Sequence, residues 1–306
     1  MQKILITGGA GFIGSHLADE LIKKGYEVVV VDNLSTGSKS NLNGKVKFYK
    51  IDVQDKKMSN VFLKEKPDIV FHFAAQIDVR KSVESPSEDA KINILGSLNI
   101  LENCNKFKVK KIIFSSTGGA IYGDANIVPT PESYVEYPMS PYGIAKLATE
   151  KYLNYYNKNF RISFTALRFA NVYGPRQNSK GEAGVIAIFC DKVFSKNQPI
   201  INGDGLQTRD FVYVLDVVGA AVMAMQTEKN GIFNVGTSKE TNINDIFSII
   251  KKESGSDFKE IHGPAQKGEQ QRSCLNYSKI KAELNWEPKI SLEEGLKKTV
   301  NWFKNK

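Results

Sequence analysis

The sequence predicts an α/β protein: a doubly wound parallel sheet followed by a smaller C-terminal α/β lobe. Three observations carry that expectation. Apolar strand patterns alternate with helical ones through the first half of the chain. A glycine-rich turn follows the first of those strands, and an aspartate closes the second. Alternation of strands and helices builds a parallel sheet covered on both faces.

The first strand is residues 3–7 (KILIT). The turn Gly8-Gly9-Ala10-Gly11-Phe12-Ile13-Gly14 follows, and residues 15–22 read as a helix. Glycines permit the tight strand-to-helix turn and let bare backbone approach a pyrophosphate. The helix N-terminus presents unpaired N–H groups and a partial positive charge to that phosphate. The second strand, residues 28–31, is four valines ending in Asp32. An acid about 20 residues beyond the glycines is placed to accept hydrogen bonds from an adenosine ribose. Its charge repels a 2′-phosphate, so the expected cofactor is NAD rather than NADP. Strand, glycine turn, helix and acid together define a Rossmann-type domain.

A polar loop with Asn33, Ser35, Thr36 and Gly37 leads to a third strand, 46–51, which ends at Asp52. The fourth, 68–73, ends in Ala74 and Ala75; the fifth is 111–116 and the sixth 162–168. Helical patterns at 89–103 and 141–157 lie between them. Ligands of such sheets gather at the carboxyl ends of the strands, where Asp32, Asp52, Ala74, Ala75, Ser116 and Thr117 all fall. After residue 171 the pattern changes to loops rich in glycine and proline. A strand or strand entry at 211–216 and helices at 216–226, 243–252 and 292–306 are expected there. The expected division is a dinucleotide-binding domain over 1–171 and a second lobe over 172–306, with about 211–240 packing back on the first.

The chain of 306 residues is 41% apolar and carries a formal net charge of +9. The excess lysines are scattered, and the densest basic run, 106–111, leads into an apolar strand, which speaks against a nucleic-acid site. A basic surface suits anionic substrates such as nucleotides. Cys104, Cys190 and Cys274 lie far apart and form no C-x-x-C pair, as fits free thiols in a reducing compartment. His16, His72 and His262 have no metal-ligand spacing, so no metal is expected. No apolar run approaches membrane-spanning length, and the first strand begins too early for a signal peptide. The expected location is the cytoplasm.

The chemical signal is Tyr142-Gly143-Ile144-Ala145-Lys146. Ser140 can cap a helix that starts at Pro141. Tyr142 and Lys146 are then one turn apart on one face. An ammonium beside a phenol favours the phenolate, as would a bound nicotinamide cation. The phenol can then take a proton from a substrate hydroxyl near neutral pH. The lysine can also hydrogen-bond the nicotinamide ribose, and Ser116 or Thr117 can offer a hydroxyl to the same substrate oxygen.

These pieces, along nearly the whole chain, resemble the extended short-chain dehydrogenase/reductase family. The matching stretches are T-G-G-A-G-F-I-G, V-V-D-N-L, F-H-F-A-A-Q, F-S-S-T-G-G-A-I-Y-G, S-P-Y-G-I-A-K, L-R-F-A-N-V-Y-G-P-R, G-D-G-L-Q-T-R-D-F-V-Y-V-L-D-V and S-K-I-K-A-E-L-N-W-E-P. Within the family the chain is most similar to the UDP-glucose 4-epimerases, including relatives that act on N-acetylated sugars. The resemblance implies Tyr142 as catalytic base, Lys146 as its partner and Thr117 (or Ser116) as the assisting hydroxyl. It implies contacts to NAD from Gly8, Gly11, Phe12, Ile13 and Gly14, and from Asp32, Asn33, Ser35, Thr36 and Gly37. Asp52, Val53, Phe73, Ala74, Ala75 and Gln76 belong to the same set, with Asn93, Ser115, Tyr142, Lys146 and Phe169. It implies contacts to a UDP-sugar from Thr117, Tyr142, Asn171, Val185, Asn202, Arg209, Arg272 and Ser273. It also implies a homodimer built on a symmetric four-helix contact. Apolar residues on more than one face of 89–103, among them Ile92, Leu95 and Leu98, agree with that.

Two stretches depart from the family pattern. Where members carry Arg-x-Gly-Asp this chain has Gln266-Lys267-Gly268-Glu269, so Lys267 or Arg272 would have to meet the diphosphate. A point charge is not a bidentate fork. The other departure, Thr117-Gly118-Gly119-Ala120, leaves Ser116 and Thr117 both eligible. Related dehydratases carry an Asp-Glu pair after this strand and related decarboxylases a Glu; Gly118-Gly119-Ala120 has neither, which favours an epimerase over both. A scaffold that binds NAD without turnover would have no need of Tyr142 and Lys146. Alignment through Gly268-Glu269 puts Ser273 at a wall of the sugar pocket, where a small side chain leaves room for an N-acetyl group.

Overall fold

Both faces of a parallel sheet are buried, so its strands read as continuous apolar runs. A computed structural model describes residues 2–180, 184–266, 268 and 270–306. The chain runs β1 (Lys3–Thr7), α1 (Phe12–Lys23), β2 (Glu27–Val31), β3 (Lys47–Tyr49), α2 (Met58–Glu65), β4 (Ile69–His72), α3 (Val79–Glu84) and α4 (Pro86–Ala90). A π-helical turn (Lys91–Leu95), α5 (Gly96–Lys106), β5 (Lys111–Thr117), α6 (Gly118–Ile121), α7 (Pro141–Phe160) and β6 (Ser163–Phe169) complete the first half. Beyond them lie β7 (Asn171–Tyr173), α8 (Val185–Phe194), β8 (Ile201–Asn202), β9 (Thr208–Arg209), β10 (Phe211–Tyr213), α9 (Val214–Gln226) and β11 (Gly231–Val235). The last elements are β12 (Thr241–Asn242), α10 (Ile243–Ser254), β13 (His262–Gly263), β14 (Arg272–Ser273), α11 (Ser278–Leu284) and α12 (Leu292–Lys304).

The main sheet has the order β11-β6-β5-β4-β1-β2-β3, and every neighbouring pair in it is parallel. Alternating side chains fill two cores. Ile4 and Ile6 join Leu17 and Leu21 of α1 and Val217 and Ala221 of α9 on one face. Leu5 joins Phe62 of α2, Ile100 of α5 and Leu153 of α7 on the other. A third core gathers α8, α10 and α12 around Tyr173, Phe211 and Tyr213. Burying a large apolar side chain is worth about 1.5–3 kcal/mol, which makes these cores the main favourable contribution. At the β3 edge, Glu65 is 2% exposed. It accepts from Lys47 Nζ at 2.6 Å, Lys3 Nζ at 3.3 Å and the Tyr49 hydroxyl.

The structure corrects several expected boundaries. The first helix starts at Phe12 rather than residue 15, because Gly11 already serves as its N-cap. The expected helix at 89–103 begins at Pro86 and passes through the π turn before α5. The strand expected at 211–216 stops at Tyr213, and α9 starts at Val214. Among the described residues no helix is long and apolar enough to cross a membrane.

Candidate active site

The glycine turn folds as its composition requires. Gly8 has φ +71°, and a β-carbon there would lie 2.6 Å from Ala74 N. A β-carbon on Gly14 would lie 2.3 Å from Gly8 O. Larger residues would therefore push β1 from β4 or lift α1 from the turn. On Gly11 the same atom would meet only Gly8 O, at 3.2 Å, and otherwise stand in the open cleft. No side chain caps α1 at Gly11, so its first N–H groups remain available to an anion. Asp32 is buried at the end of β2, where its carboxylate accepts from Ala10 N at 3.0 Å and Leu34 N at 2.8 Å. Asp52 accepts from Asn33 Nδ2 at 2.7 Å and from Gln54 N at 2.9 Å. Burial opposes its charge, but these donors prevail and hold its carboxyl below the usual value.

A cleft of about 780 Å³ runs along the carboxyl edge of the sheet. It joins the glycine turn, Asp32, Asn33, Ser35, Thr36, Asp52, Val53, Phe73, Ala74, Ala75 and Gln76 to Ser115, Ser116, Tyr142, Lys146 and Phe169. An open backbone cradle at one end and a buried acid closing β2 fit a dinucleotide. Gly37 is not on the wall; it packs against Ala10, whose carbonyl carbon would be 2.8 Å from its β-carbon. Asn93 lies beneath the wall. Its side chain accepts from Gln76 N at 2.9 Å and donates to Gln76 O at 2.8 Å and Asp89 Oδ1 at 2.9 Å. It thus shapes the cleft through Gln76.

The helix that carries the chemistry is capped as expected, with Ser140 Oγ accepting from Gly143 N at 3.2 Å. Lys146 is buried; its Nζ donates to Ser115 O at 2.8 Å and lies 5.8 Å from the Tyr142 ring centre. Burial brings the lysine down to about 7, against the pull of Asp89 and Glu150. Burial and the Asp89 charge push the Tyr142 phenol up. The expectation that the neighbouring lysine lowers the phenol is not met in the chain alone, where burial wins. Ser116 Oγ donates to Glu150 Oε1 at 2.6 Å within a buried network. The Thr117 hydroxyl is half-buried and makes no side-chain hydrogen bond among the described residues.

Of the residues expected to meet a sugar nucleotide, Tyr142 is on that wall and the others lie apart from it. Arg209 on β9 is the register partner of Ser273 on β14, and Ser273 Oγ is 3.9 Å from where a β-carbon on Gly119 would sit. Ser273 therefore stands beside the turn that follows Thr117. Asn202 lies on β8 opposite Gly263, Asn171 on β7 opposite Phe211, and Val185 opens α8. Arg272 points elsewhere: its guanidinium makes two bonds to Glu240, at 3.0 and 2.6 Å. This counts against Arg272 as the diphosphate cation. Gln266 is exposed, and Lys267 and Glu269 lie outside the described residues.

Sequence reasoning missed Lys81, Lys180 and Arg176, cations that line the same cleft. Arg176 pairs with Asp19 of α1 at 2.8 Å, and its buried Nη1 has no partner among the described residues. The G-P-R stretch after β7 was the available signal. Asp89 was missed as well, and only its place one helical turn before Asn93 hinted at it.

A doubly wound sheet, an uncapped glycine cradle and a Tyr-x-x-x-Lys pair at the carboxyl edge define a nucleotide-cofactor enzyme of the short-chain dehydrogenase/reductase type. Comparison narrows the class. The chain belongs to the NAD dependent epimerase/dehydratase family, whose model matches residues 4–236. It is similar to the UDP-glucose 4-epimerase of Mycolicibacterium smegmatis, 40% identical and covering 100% of this chain and 99% of that one. Its fold matches the crystal structure of UDP-glucose 4-epimerase with UDP-glucose from Thermotoga maritima, with TM-score 0.97, 50% identity and 99% of each chain covered. It also matches the Thermus thermophilus UDP-glucose 4-epimerase complexed with NAD, with TM-score 0.94, 39% identity and 99% of each chain covered.

Proposed function

We propose that the chain is an NAD-dependent epimerase that inverts C4 of a UDP-hexose. Its substrates are UDP-glucose and UDP-galactose, and UDP-N-acetylglucosamine and UDP-N-acetylgalactosamine are accepted as well. One observation carries this reading: Tyr142 and Lys146 line the cleft at the carboxyl end of β5, and Gly118-Gly119-Ala120 brings no carboxylate for loss of water. The full-length likeness to UDP-glucose 4-epimerases supports it.

NAD is held by the glycine turn, Asp32, Asp52 and Gln76, and when bound it supplies reversible hydride transfer at a sugar carbon. Tyr142 takes the proton from the sugar O4 and later returns it. Thr117 donates to the same oxygen and steadies the charge that develops there. Lys146 keeps a positive charge near the phenol and orients it from Ser115 O. Arg209, Asn171, Val185, Asn202 and Ser273 would hold the sugar nucleotide, with room for either face of its sugar to be presented to Tyr142. We divide the chain at about residue 172 into these cofactor and sugar-nucleotide lobes.

We further propose a cytoplasmic homodimer. The three cysteines are buried and free, as suits a reducing compartment. Leu95 is 58% exposed beside α5, and Ile144 and Tyr155 of α7 are 52% and 51% exposed. Two copies of that face would cover each other. A monomeric mass by light scattering at micromolar concentration would contradict the dimer. The activity is tested by incubating the protein with UDP-, dTDP- and GDP-hexoses, without added reductant, and resolving the products. Conversion of UDP-glucose to UDP-galactose is expected. No interconversion of any C4 pair overturns the reading.

A further inference from the structure

A buried carboxylate lies on the wall of the cleft that holds the base. Asp89 of α4 is 2% exposed. Its Oδ1 accepts from Gln76 Nε2 and Asn93 Nδ2, each at 2.9 Å. Its Oδ2 is buried and has no partner among the described residues. The carboxylate lies on the wall of the cleft that Tyr142 and Lys146 share. Both amides that hold it are themselves fixed, Asn93 by the Gln76 backbone and the Gln76 side chain by the Asp78 backbone. The orientation of the charge is therefore set by the fold.

Lys146 presents the opposite problem. It is 3% exposed, and its ammonium has a carbonyl, Ser115 O, and the Phe114 ring at 4.7 Å, with no direct ion pair among the described residues. Two carboxylates act on it, Asp89 and Glu150. Glu150 is already neutralised, because Arg168 donates to both its oxygens, at 2.9 and 2.6 Å. The other groups nearby do not replace Asp89. His72 of β4 is kept neutral by burial. From α3, Lys81 and Glu84 reach the cleft wall with opposite signs, and Glu88 of α4 pairs with Lys91. Asp89, whose own carboxyl burial pushes up against the pull of Gln76, Asn93 and Lys146, is left as the carboxylate that opposes the buried cation. Each ion alone is penalised for leaving water, and the two offset one another in a site of low dielectric.

We propose that Asp89 is the counter-ion of Lys146 and thereby a positioning residue for Tyr142, keeping a cation beside the phenol during proton transfer. The counter-ion role does not depend on which reaction the site performs; its effect on turnover rests on the epimerase reading. Asp89 opposes the burial that drives the lysine towards neutrality, so without it the lysine loses its proton at lower pH; its direct push on the phenol runs the other way, so the sign of a shift in the pH profile tells which effect governs.

The decisive test needs no ligand. Asp89→Asn, Lys146→Met and the double variant are unfolded in urea. Asp89→Asn is expected to lower the midpoint of the parent chain, because it strands the ammonium. In the Lys146→Met background it is expected to raise the midpoint, because it removes a stranded carboxylate. A change of the same sign and size in both backgrounds overturns the proposal. Should Asp89→Asn alone not fold, the two variants lacking the lysine decide: a double variant no more stable than Lys146→Met overturns it. In turnover, Asp89→Asn is expected to lose about tenfold at neutral pH, the equivalent of a one-unit shift of the lysine. The alkaline limb of kcat should move down by about one pH unit, with the KM for UDP-glucose little changed and Asp89→Glu restoring the limb. A rate loss with the limb unmoved overturns the role in proton transfer. Failure of the parent chain to epimerise any UDP-hexose counts against the epimerase reading alone, since the urea cycle stands without it.

Discussion

The Ser116 hydroxyl donates to Glu150 Oε1 at 2.6 Å, and Glu150 in turn holds the fully buried guanidinium of Arg168. The same guanidinium reaches the Tyr122 hydroxyl at 2.8 Å and Glu136 at 2.9 Å. Successive residues of a strand face opposite sides, so Ser116 turns to this network and Thr117 turns away from it. The network closes the carboxyl end of β5 and β6 against α7, and Ser116 belongs to its wiring. We therefore propose Thr117, rather than Ser116, as the assisting hydroxyl.

Thr117→Val should therefore keep the fold and NAD binding while turnover falls by about a hundredfold or more, the usual loss when one donor to a reacting oxygen is removed. Ser116→Ala should instead cost stability, about 1–3 kcal/mol for a buried acceptor stripped of a partner, with a smaller loss of turnover. Urea midpoints and kcat measured for both variants separate the roles. The reverse pattern would return the catalytic hydroxyl to Ser116.

Tyr142→Phe removes only a hydroxyl from the cleft wall. Folding and NAD binding should survive, and turnover should drop about a hundredfold to ten-thousandfold, as loss of a general base does. Because burial and Asp89 push the phenol up in the chain alone, its spectrophotometric titration without ligand should stay above the ordinary tyrosine range. Addition of NAD should bring it down. Near-parental turnover in Tyr142→Phe would dismiss the mechanism.

Asp32 accepts from Ala10 N and Leu34 N, so its charge stays fixed at the end of β2. A ribose hydroxyl can still donate to its remaining lone pairs, whereas a 2′-phosphate would meet like charge. NAD should bind far more tightly than NADP. Asp32→Asn should narrow that gap by weakening NAD while relieving the repulsion of NADP. Competition titration of the two cofactors checks both statements, and equal affinities for the parent chain would refute the reading of Asp32.

Glu65 sets an acid limit on stability. Burial opposes its charge, but Lys47, Tyr49 and Lys3 outweigh that and hold the carboxyl at about 2, below its ordinary 4.5. A lowered folded-state value means that the stabilisation is complete above the unfolded value and is lost as pH falls through the folded one. The chain should weaken between about pH 4.5 and 2. Glu65→Gln should flatten that part of the profile while lowering stability at neutral pH. Urea midpoints across the acid range provide the check, and parallel profiles would contradict it.

What was legible in the sequence was local. The valines before Asp32 and the spacing of Tyr142 and Lys146 depend on single strands and one helical turn, and both features sit where expected. Ser116 and Thr117 stayed undivided because strand periodicity separates faces without saying which face meets α7. Asp89 was illegible because its importance comes from α4 packing on α7 and from Gln76, brought in by β4. The π turn that buries Asn93 leaves no mark in an apolar period. The seventh strand, β11, opens at a glycine and pairs with β6 across a long connection, so its run of apolar residues did not announce an edge strand.

Ser273 is the residue on which sugar choice should turn. β14 places it opposite Arg209 and beside Gly119, next to the turn that follows Thr117. Its hydroxymethyl group is small, so a sugar-pocket wall at this place, as we propose, would leave volume for a substituent at C2 of the sugar. Exclusion of the larger sugar would require a side chain that fills that space, and serine cannot supply one. The parent chain should thus epimerise both UDP-glucose and UDP-N-acetylglucosamine. In Ser273→Tyr the ring would extend towards Gly119, and the N-acetylated activity should fall selectively while UDP-glucose turnover persists. A pocket contact of this kind discriminates by about 10–200-fold, well within reach of paired kcat/KM measurements. Equal losses on the two sugars would remove Ser273 from the pocket wall, and no parental activity on the N-acetylated sugar would show that another residue closes it.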